Sequence, residues 1–172
     1  MRIGDWIQTN SGIEFYHRDV RPEDIDIDDI AHSLSMQCRF NGHSKYFYSV
    51  AEHCVLVSEH IAPEHALAGL LHDGAEAYMS DLPKPLKKLF PYFIELETNI
   101  EIIIAEKYGF QFPYHPDIKA WDNQLLADEA AQLMTVPPEN WANMPKPIGI
   151  DFQCWTPEQA KRRFLKRFKE LV

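Results

Sequence analysis

The spacing of apolar and polar residues predicts a chain of helices preceded by one small sheet. Residues 3–8 and 13–16 read as two short strands. Asn10-Ser11-Gly12 between them is a turn in which glycine supplies an unusual φ. Residues 18–29 are polar and acidic, and Pro22 starts a turn, so a solvated loop is expected there. The run Asp24, Asp26, Asp28, Asp29 lacks the glycine and terminal Glu of an EF-hand. Ile30, Leu34 and Met36 belong to a first helix ending near Cys38. Arg39 to His43 breaks the pattern, with a turn at Gly42. Ser49 is then an N-cap, and Glu52 three residues on completes a capping box. Val50, His53, Cys54, Val57 and Ile61 recur at three- and four-residue steps, which puts His53 on the inward stripe of a helix. Pro63 opens the next helix, where its missing N–H does no harm. That helix runs through Leu67, Leu70 and Leu71 into His72-Asp73. The two helices form an antiparallel hairpin that sets His53 against His72.

Asp81-Leu82-Pro83-Lys84-Pro85 ends this hairpin and opens a new turn. Residues 91–108 are the longest uninterrupted helical pattern, closed by Gly109 as a C-cap. Its isoleucines cover more than one stripe, so it is expected to be well buried. Residues 110–116 are a loop, and 115–134 another helix, carrying Asp122. Residues 135–155 hold Pro137, Pro138, Pro145 and Pro147 with little periodicity. Loops of that length are uncommon and are often functional or interfacial. Thr156-Pro157-Glu158 caps a last helix, whose basic stretch at 161–169 reads as a cationic end facing water.

Composition narrows the function classes. A chain of 172 residues makes one domain with a self-sufficient core. Its 45% hydrophobic and 25% charged residues are those of a globular protein, and no apolar run approaches the ~20 residues that cross a bilayer. The N-terminus lacks the apolar stretch of a signal peptide. The cysteines, Cys38, Cys54 and Cys154, are odd in number and form no CxxC pair. Free thiols in a reducing cytoplasm are expected. A net charge of −9 argues against a general binder of nucleic-acid polymers. A small anionic substrate stays compatible, because local cations and a metal would set the local field.

One stretch carries candidate chemistry. In Leu70-Leu71-His72-Asp73-Gly74-Ala75-Glu76, helical spacing turns His72, Asp73 and Glu76 toward one point. Burying a His and two carboxylates together is costly unless they are paired or hold a cation. That cost makes the cluster a candidate site and not ordinary core.

The order His53, His72-Asp73, Asp122 reads H…HD…D. Together with the flanks Ser49-Val50-Ala51-Glu52-His53, Leu70 through Glu76, and Asp81-Leu82-Pro83, it resembles the HD-domain metal-dependent phosphohydrolases. The likeness spans roughly residues 30–133. Within that superfamily the chain is most similar to the small 5′-deoxynucleotidases of the YfbR type and to the phage dATP triphosphohydrolase DatZ. The resemblance implies an all-α HD-domain helical bundle with a small N-terminal β-hairpin. Residues 1–29 would be hairpin and acidic loop, 30–134 the metal-binding core, 135–155 a proline-rich loop and 156–172 the C-terminal helix. It implies His53, His72, Asp73 and Asp122 as ligands of one divalent transition metal: Zn, Mn, Co, Fe or Ni. Glu76 would position or deprotonate the attacking water. Asp81 would lie just outside the ligands or serve as an acid for the leaving group. Arg39-Phe40 stands where the deoxynucleotidases carry an Arg-Trp pair, so Arg39 would hold phosphate and Phe40 wall the sugar or base. The aromatic run Tyr46 to Tyr48 would pack on the sugar and base, and Lys84 and Lys87 would meet a phosphate tail. The implied reaction is cleavage of the 5′-phosphoester of a nucleotide, by a homo-oligomer. His43, His60 and His65 read as structural. His60 and His65 lie seven residues from His53 and His72, which is ~10 Å along a helix and too far for the same metal.

Two other classes are weighed. A cyclic-nucleotide phosphodiesterase on this scaffold needs further His pairs for a second metal. A non-catalytic nucleotide sensor would not need the whole ligand set plus Glu76.

Overall fold

The computed structural model describes residues 2–136 and 144–172. The N-terminal alternation yields a minimal antiparallel pair, β1 (Ile7–Gln8) and β2 (Glu14–Phe15), with Ile7 opposite Phe15. Both strands are shorter than their apolar patterns. Only Phe15 of this pair is buried, stacked on Tyr78 at 4.0 Å.

The acidic segment is structured rather than simply solvated. Asp26 caps α1 (Ile27–Met36), accepting from the N–H groups of Asp28 and Asp29, so the helix starts three residues earlier than Ile30. Asp24 is buried and pairs with Arg2. Asp29 is buried and accepts from the Ser11 N–H and hydroxyl at 2.7 and 2.6 Å. These carboxylates serve the hairpin and the helix start, a use that local polarity does not reveal.

Ser49 caps α2 (Val50–His60) by accepting from the Glu52 N–H. Glu52 does not reach back, so only half of the expected capping box forms. Its buried carboxylate accepts instead from the N–H groups of Gln153, Cys154 and Trp155 at 2.9, 3.0 and 2.7 Å. A short 3-10 turn (Pro63–His65) leads into α3 (Ala66–Leu71). The chain then tightens. Gly74 N–H bonds Leu71 O and Glu76 N–H bonds Asp73 O, both i to i+3 contacts, before α4 (Glu76–Met79). A Cβ at Gly74 would meet Leu71 O at 2.9 Å and Ile104 Cδ1 at 3.1 Å, so this turn requires glycine.

After α5 (Lys84–Lys87), α6 (Pro91–Tyr108) ends at Gly109, whose φ of 73° is the left-handed cap expected. α6 is less buried than its pattern predicts. Ile100, Ile104 and Ala105 are buried, while Ile94 is 39% and Ile102 36% exposed. One stripe meets the core and the others have no covering element among the described residues. His115 caps α7 (Pro116–Leu133). Thr156 and Gln159 form a full capping box at α8 (Pro157–Leu171). α8 packs on α1, α2 and α3 and buries Ala160 and Phe164. Its basic stretch therefore does not all face water. Arg167 donates to Ser58 O at 2.8 Å, and Arg163 lies over the Trp155 ring.

The main core gathers Phe15, Ile25, Leu34, Val50, Leu70, Leu71, Ile104 and Phe164. Residues 144–156 have no regular structure, and Pro145 and Pro147 lie there. Pro137 and Pro138 fall outside the described residues. Among the described residues no helix is long and apolar enough to cross a membrane. The class is thus mostly helical with a two-stranded sheet, as expected.

Candidate metal centre

α2 supplies His53, the C-terminal end of α3 supplies His72, the tight turn after it supplies Asp73, and α7 supplies Asp122. The helical hairpin sets the two imidazoles beside each other, with ring centroids 5.3 Å apart. Each ring has one nitrogen fixed. His53 Nδ1 donates to Glu129 Oε1 at 2.7 Å, and His72 Nδ1 donates to the Gly69 carbonyl at 2.8 Å. A carboxylate and a carbonyl can only accept, so Nδ1 carries a proton in each ring and Nε2 is the ligand atom on offer. Burial and Arg39 lower the His53 pKa, but Glu129 and Asp122 outweigh them and raise it to about 9, so an ion at its Nε2 would displace a proton. Both Nε2 atoms are buried and have no hydrogen-bond partner among the described residues.

Carboxylate oxygens surround those nitrogens. Asp73 Oδ1 is 3.3 Å from His72 Nε2, and Asp73 Oδ2 is 3.8 Å from His53 Nε2. Asp122 Oδ1 is 3.3 Å from His53 Nε2, without the alignment of a hydrogen bond. Ligands ~2.1 Å from one tetrahedral ion stand about 3.4 Å from each other. The donor set and its spacing fit a metal. His53, His72 and Asp122 each offer one ligand atom, all within 4.8 Å of one another. Cys54, His72 and Asp73 make a similar group. Burial, then the charges of Asp73 and Glu76, push the Cys54 thiol well above its usual range, which disfavours the thiolate a metal needs. Burial also pushes Asp122 upward, but its contact with His53 outweighs that and holds it well below the usual range, so it stays ionised.

Behind the imidazoles lies a residue that the sequence reading missed. Glu129 is fully buried and accepts from His53 Nδ1, from the Tyr48 hydroxyl at 3.0 Å and from Arg39 at 3.1 Å. Burial raises its pKa, but Arg39, His53 and these bonds outweigh that and hold it below the usual range. A signal was present: Glu129 is seven residues, two turns, from Asp122 on α7. Arg39 bridges this layer and the candidate ligands, with a guanidinium nitrogen 3.6 Å from Asp73 Oδ2. Tyr48, expected against the substrate, is instead fully buried on Glu129.

Further acidic groups lie near Asp73. Glu76 is buried, and its Oε2 has no partner among the described residues. Burial, then the charges of Asp73 and Asp81, hold its carboxyl well above the carboxylate range, against Lys87 and Arg39. Asp81 is raised as well, first by burial and then, against Arg39, by Asp73. Gln37 pins the two, donating to Glu76 O at 2.9 Å and accepting from Asp81 N–H at 3.0 Å. Lys87 Nζ lies 3.7 Å from Glu76 Oε1 and 2.7 Å from Glu97 Oε1. Glu101 is pushed up to about 8 by burial, Glu97 and Asp73.

The chain is 38% identical to the uncharacterized protein YfdR of Escherichia coli over 169 residues, covering 96% of this chain and 95% of that protein. It belongs to the YfdR family. A second relative is the uncharacterized protein RCAP_rcc00048 of Rhodobacter capsulatus, 29% identical over 187 residues, with 97% and 95% covered. No protein-family model matches the chain.

The remaining candidates in this YfdR-family chain are scattered. Phe40 is half-buried at φ 55°, with the Arg39 guanidinium 5.5 Å from its ring centroid. Lys84 is exposed on α5, and Tyr46 and Phe47 are exposed ahead of α2. His43 is exposed, and His60 Nδ1 donates to Leu56 O within its own helix at 2.8 Å. His65 stacks on His115.

Proposed function

We propose that this YfdR-family chain is a metal-dependent phosphohydrolase that cleaves the 5′-phosphoester of deoxynucleotides, releasing the nucleoside and phosphate or oligophosphate. The observation that carries the reading is the pair of buried Nε2 atoms, each with its ring's other nitrogen tied down and no partner of its own among the described residues, converging with Asp73 and Asp122. The resemblance in ligand order to HD-domain hydrolases supplies the reaction type.

His53, His72, Asp73 and Asp122 would hold one divalent ion, with Zn, Mn, Co, Fe and Ni all matched to such a set. A bound ion supplies Lewis-acid charge to a phosphoryl oxygen and acidifies a water. Glu76 takes the proton of the attacking water in its ionised form, which a cation held by the neighbouring ligands would favour against the burial that raises its pKa. The water oxygen bonds the phosphorus, the bond from phosphorus to the 5′ oxygen breaks, and that oxygen takes a proton from Asp81. Arg39 keeps Asp73 and Glu129 in register and turns its remaining guanidinium edge to phosphate. Lys87 and Lys84 meet a longer phosphate tail. Phe40 walls the sugar, and a close wall beside the 2′ carbon rejects ribose.

The test is chromatography of a nucleotide panel, deoxy and ribo, mono- and triphosphate, with each metal and with EDTA. Nucleoside should appear from deoxynucleotides and vanish with EDTA. If dAMP and dATP are untouched with every metal, or dATP yields only dADP and phosphate, the reading fails.

A further inference from the structure

A second group of metal-capable side chains lies away from this centre. His65 closes the 3-10 turn before α3, and His115 caps α7. Their rings stack, with centroids 4.1 Å apart and planes 17° from parallel. His115 Nδ1 accepts from the Asp117 N–H at 3.3 Å and lies 3.6 Å from Asp117 Oδ2, in the first turn of α7, so an ion taken at that nitrogen would displace the cap bond. One nitrogen of each imidazole and one Asp117 oxygen lie within 4.8 Å of one another. Both histidines are half-buried and Asp117 is exposed, so an ion can reach the group from solvent. Among the described residues the His65 ring makes no hydrogen bond, and its one aromatic contact is with His115.

We propose that His65, His115 and Asp117 form a second, peripheral site for a borderline divalent ion such as Zn²⁺. Two imidazoles and a carboxylate are a donor set for Zn²⁺, and three protein ligands leave the fourth position to water. The site is separate from the first, because His65 and His72 are seven residues apart, ~10 Å along a helix. It is not isolated from it. Tyr114, beside His115, donates its hydroxyl to the His72 carbonyl at 3.3 Å. Imidazole lone pairs lie in the ring plane, so one of the two stacked rings turns when they share an ion, and that ion clips the start of α7 to the start of α3. It also holds Tyr114 against the backbone of a residue of the first centre. The proposal stands whether or not the chain is a hydrolase.

The experiment titrates the full chain, stripped of metal, with Zn²⁺ alone, and follows it by calorimetry and elemental analysis. Wild type should take up two equivalents. His65→Ala should take up one, and so should Asp122→Asn, which impairs the first centre. His115→Asn keeps a side-chain acceptor for the α7 cap, so a loss of binding there is not helix fraying. Outer partners of a metal cost 10–100-fold in affinity when removed. Removing a direct ligand should weaken the second equivalent by at least ~10²-fold. A wild-type chain that binds a single ion, lost in Asp122→Asn and kept in His65→Ala, overturns the proposal. So does a second equivalent that survives both His65→Ala and His115→Asn. Nucleotide turnover is read separately, so failure of the hydrolase reading leaves these outcomes interpretable.

Discussion

Glu76 and Glu129 are both buried beside the candidate ligands, and their environments push them in opposite directions. Burial and two neighbouring carboxylates hold Glu76 toward its protonated form. Arg39, His53 and Tyr48 overcome burial at Glu129 and keep it ionised. Under the proposed reaction Glu76 would exchange protons and Glu129 would orient His53. Glu76→Gln should keep metal and fold while turnover falls by ~10²–10⁴-fold, as for a general base. Glu129→Gln should instead weaken metal by ~10–100-fold, because His53 loses its orienting carboxylate. Chelator competition and single-turnover rates on both variants separate the two, and the assignment is lost if the phenotypes are exchanged. The four candidate ligands were legible from their order along the chain. Glu129 was not, since its partners Arg39, Tyr48 and His53 lie 76 to 90 residues away. Arg39 read as a phosphate ligand, yet it is also the partner of Glu129, so Arg39→Ala tests two things at once.

At the scale of elements, what was local was readable. The α6 boundaries and its Gly109 cap follow from short-range chemistry, and so do the starts of α2 and α8. What depends on a distant partner was not. Glu52 fits a capping box by spacing, but three backbone N–H groups ahead of α8 claim its carboxylate. Asp128 on α7 does the same for the proline-containing segment, accepting from Ile148, Gly149 and Ile150 N–H groups at 3.0, 2.6 and 3.1 Å. Burial raises the Asp128 pKa, but Gln124 and these N–H groups win and hold it below the usual range. A carboxylate depressed in the folded state adds stability that is complete above its unfolded value and is lost as pH falls through the folded one. Asp128→Ala strands one buried donor, the Ile150 N–H, beside two part-buried ones, which costs about 1–3 kcal/mol. Denaturant melts at pH 7 should show that loss, and the gap to wild type should narrow as the pH falls below the ordinary aspartate value of about 3.9 toward the depressed folded one. Equal stability of the two proteins at pH 7 would mean that Asp128 is no anchor.

For the whole molecule, the candidate centre is where distant parts of the chain meet. The segment before α2, the α2–α3 hairpin, the turn after it and α7 contribute Arg39, His53, His72, Asp73, Asp122 and Glu129. Order along the chain announced that convergence, while the walls around it depend on packing that periodicity does not encode. The outward isoleucines of α6 and the buried Tyr48 are examples. An ion held by His53, His72, Asp73 and Asp122 would tie α2, α3 and α7 together in the folded state only. Binding to the native state alone adds about 2.7 kcal/mol when the free ion is at 100 times its Kd. For a chain of this size each kcal/mol moves Tm by about 2–4 °C, so metal should raise Tm by about 5–10 °C. His65→Ala should retain most of that shift, and Asp122→Asn or His72→Ala should remove most of it. The contrast matters because an ion at the peripheral cluster also stabilises. If Asp122→Asn shifts as far as wild type at every metal concentration, the buried histidines and aspartates do not form the metal centre, and the hydrolase reading falls with it.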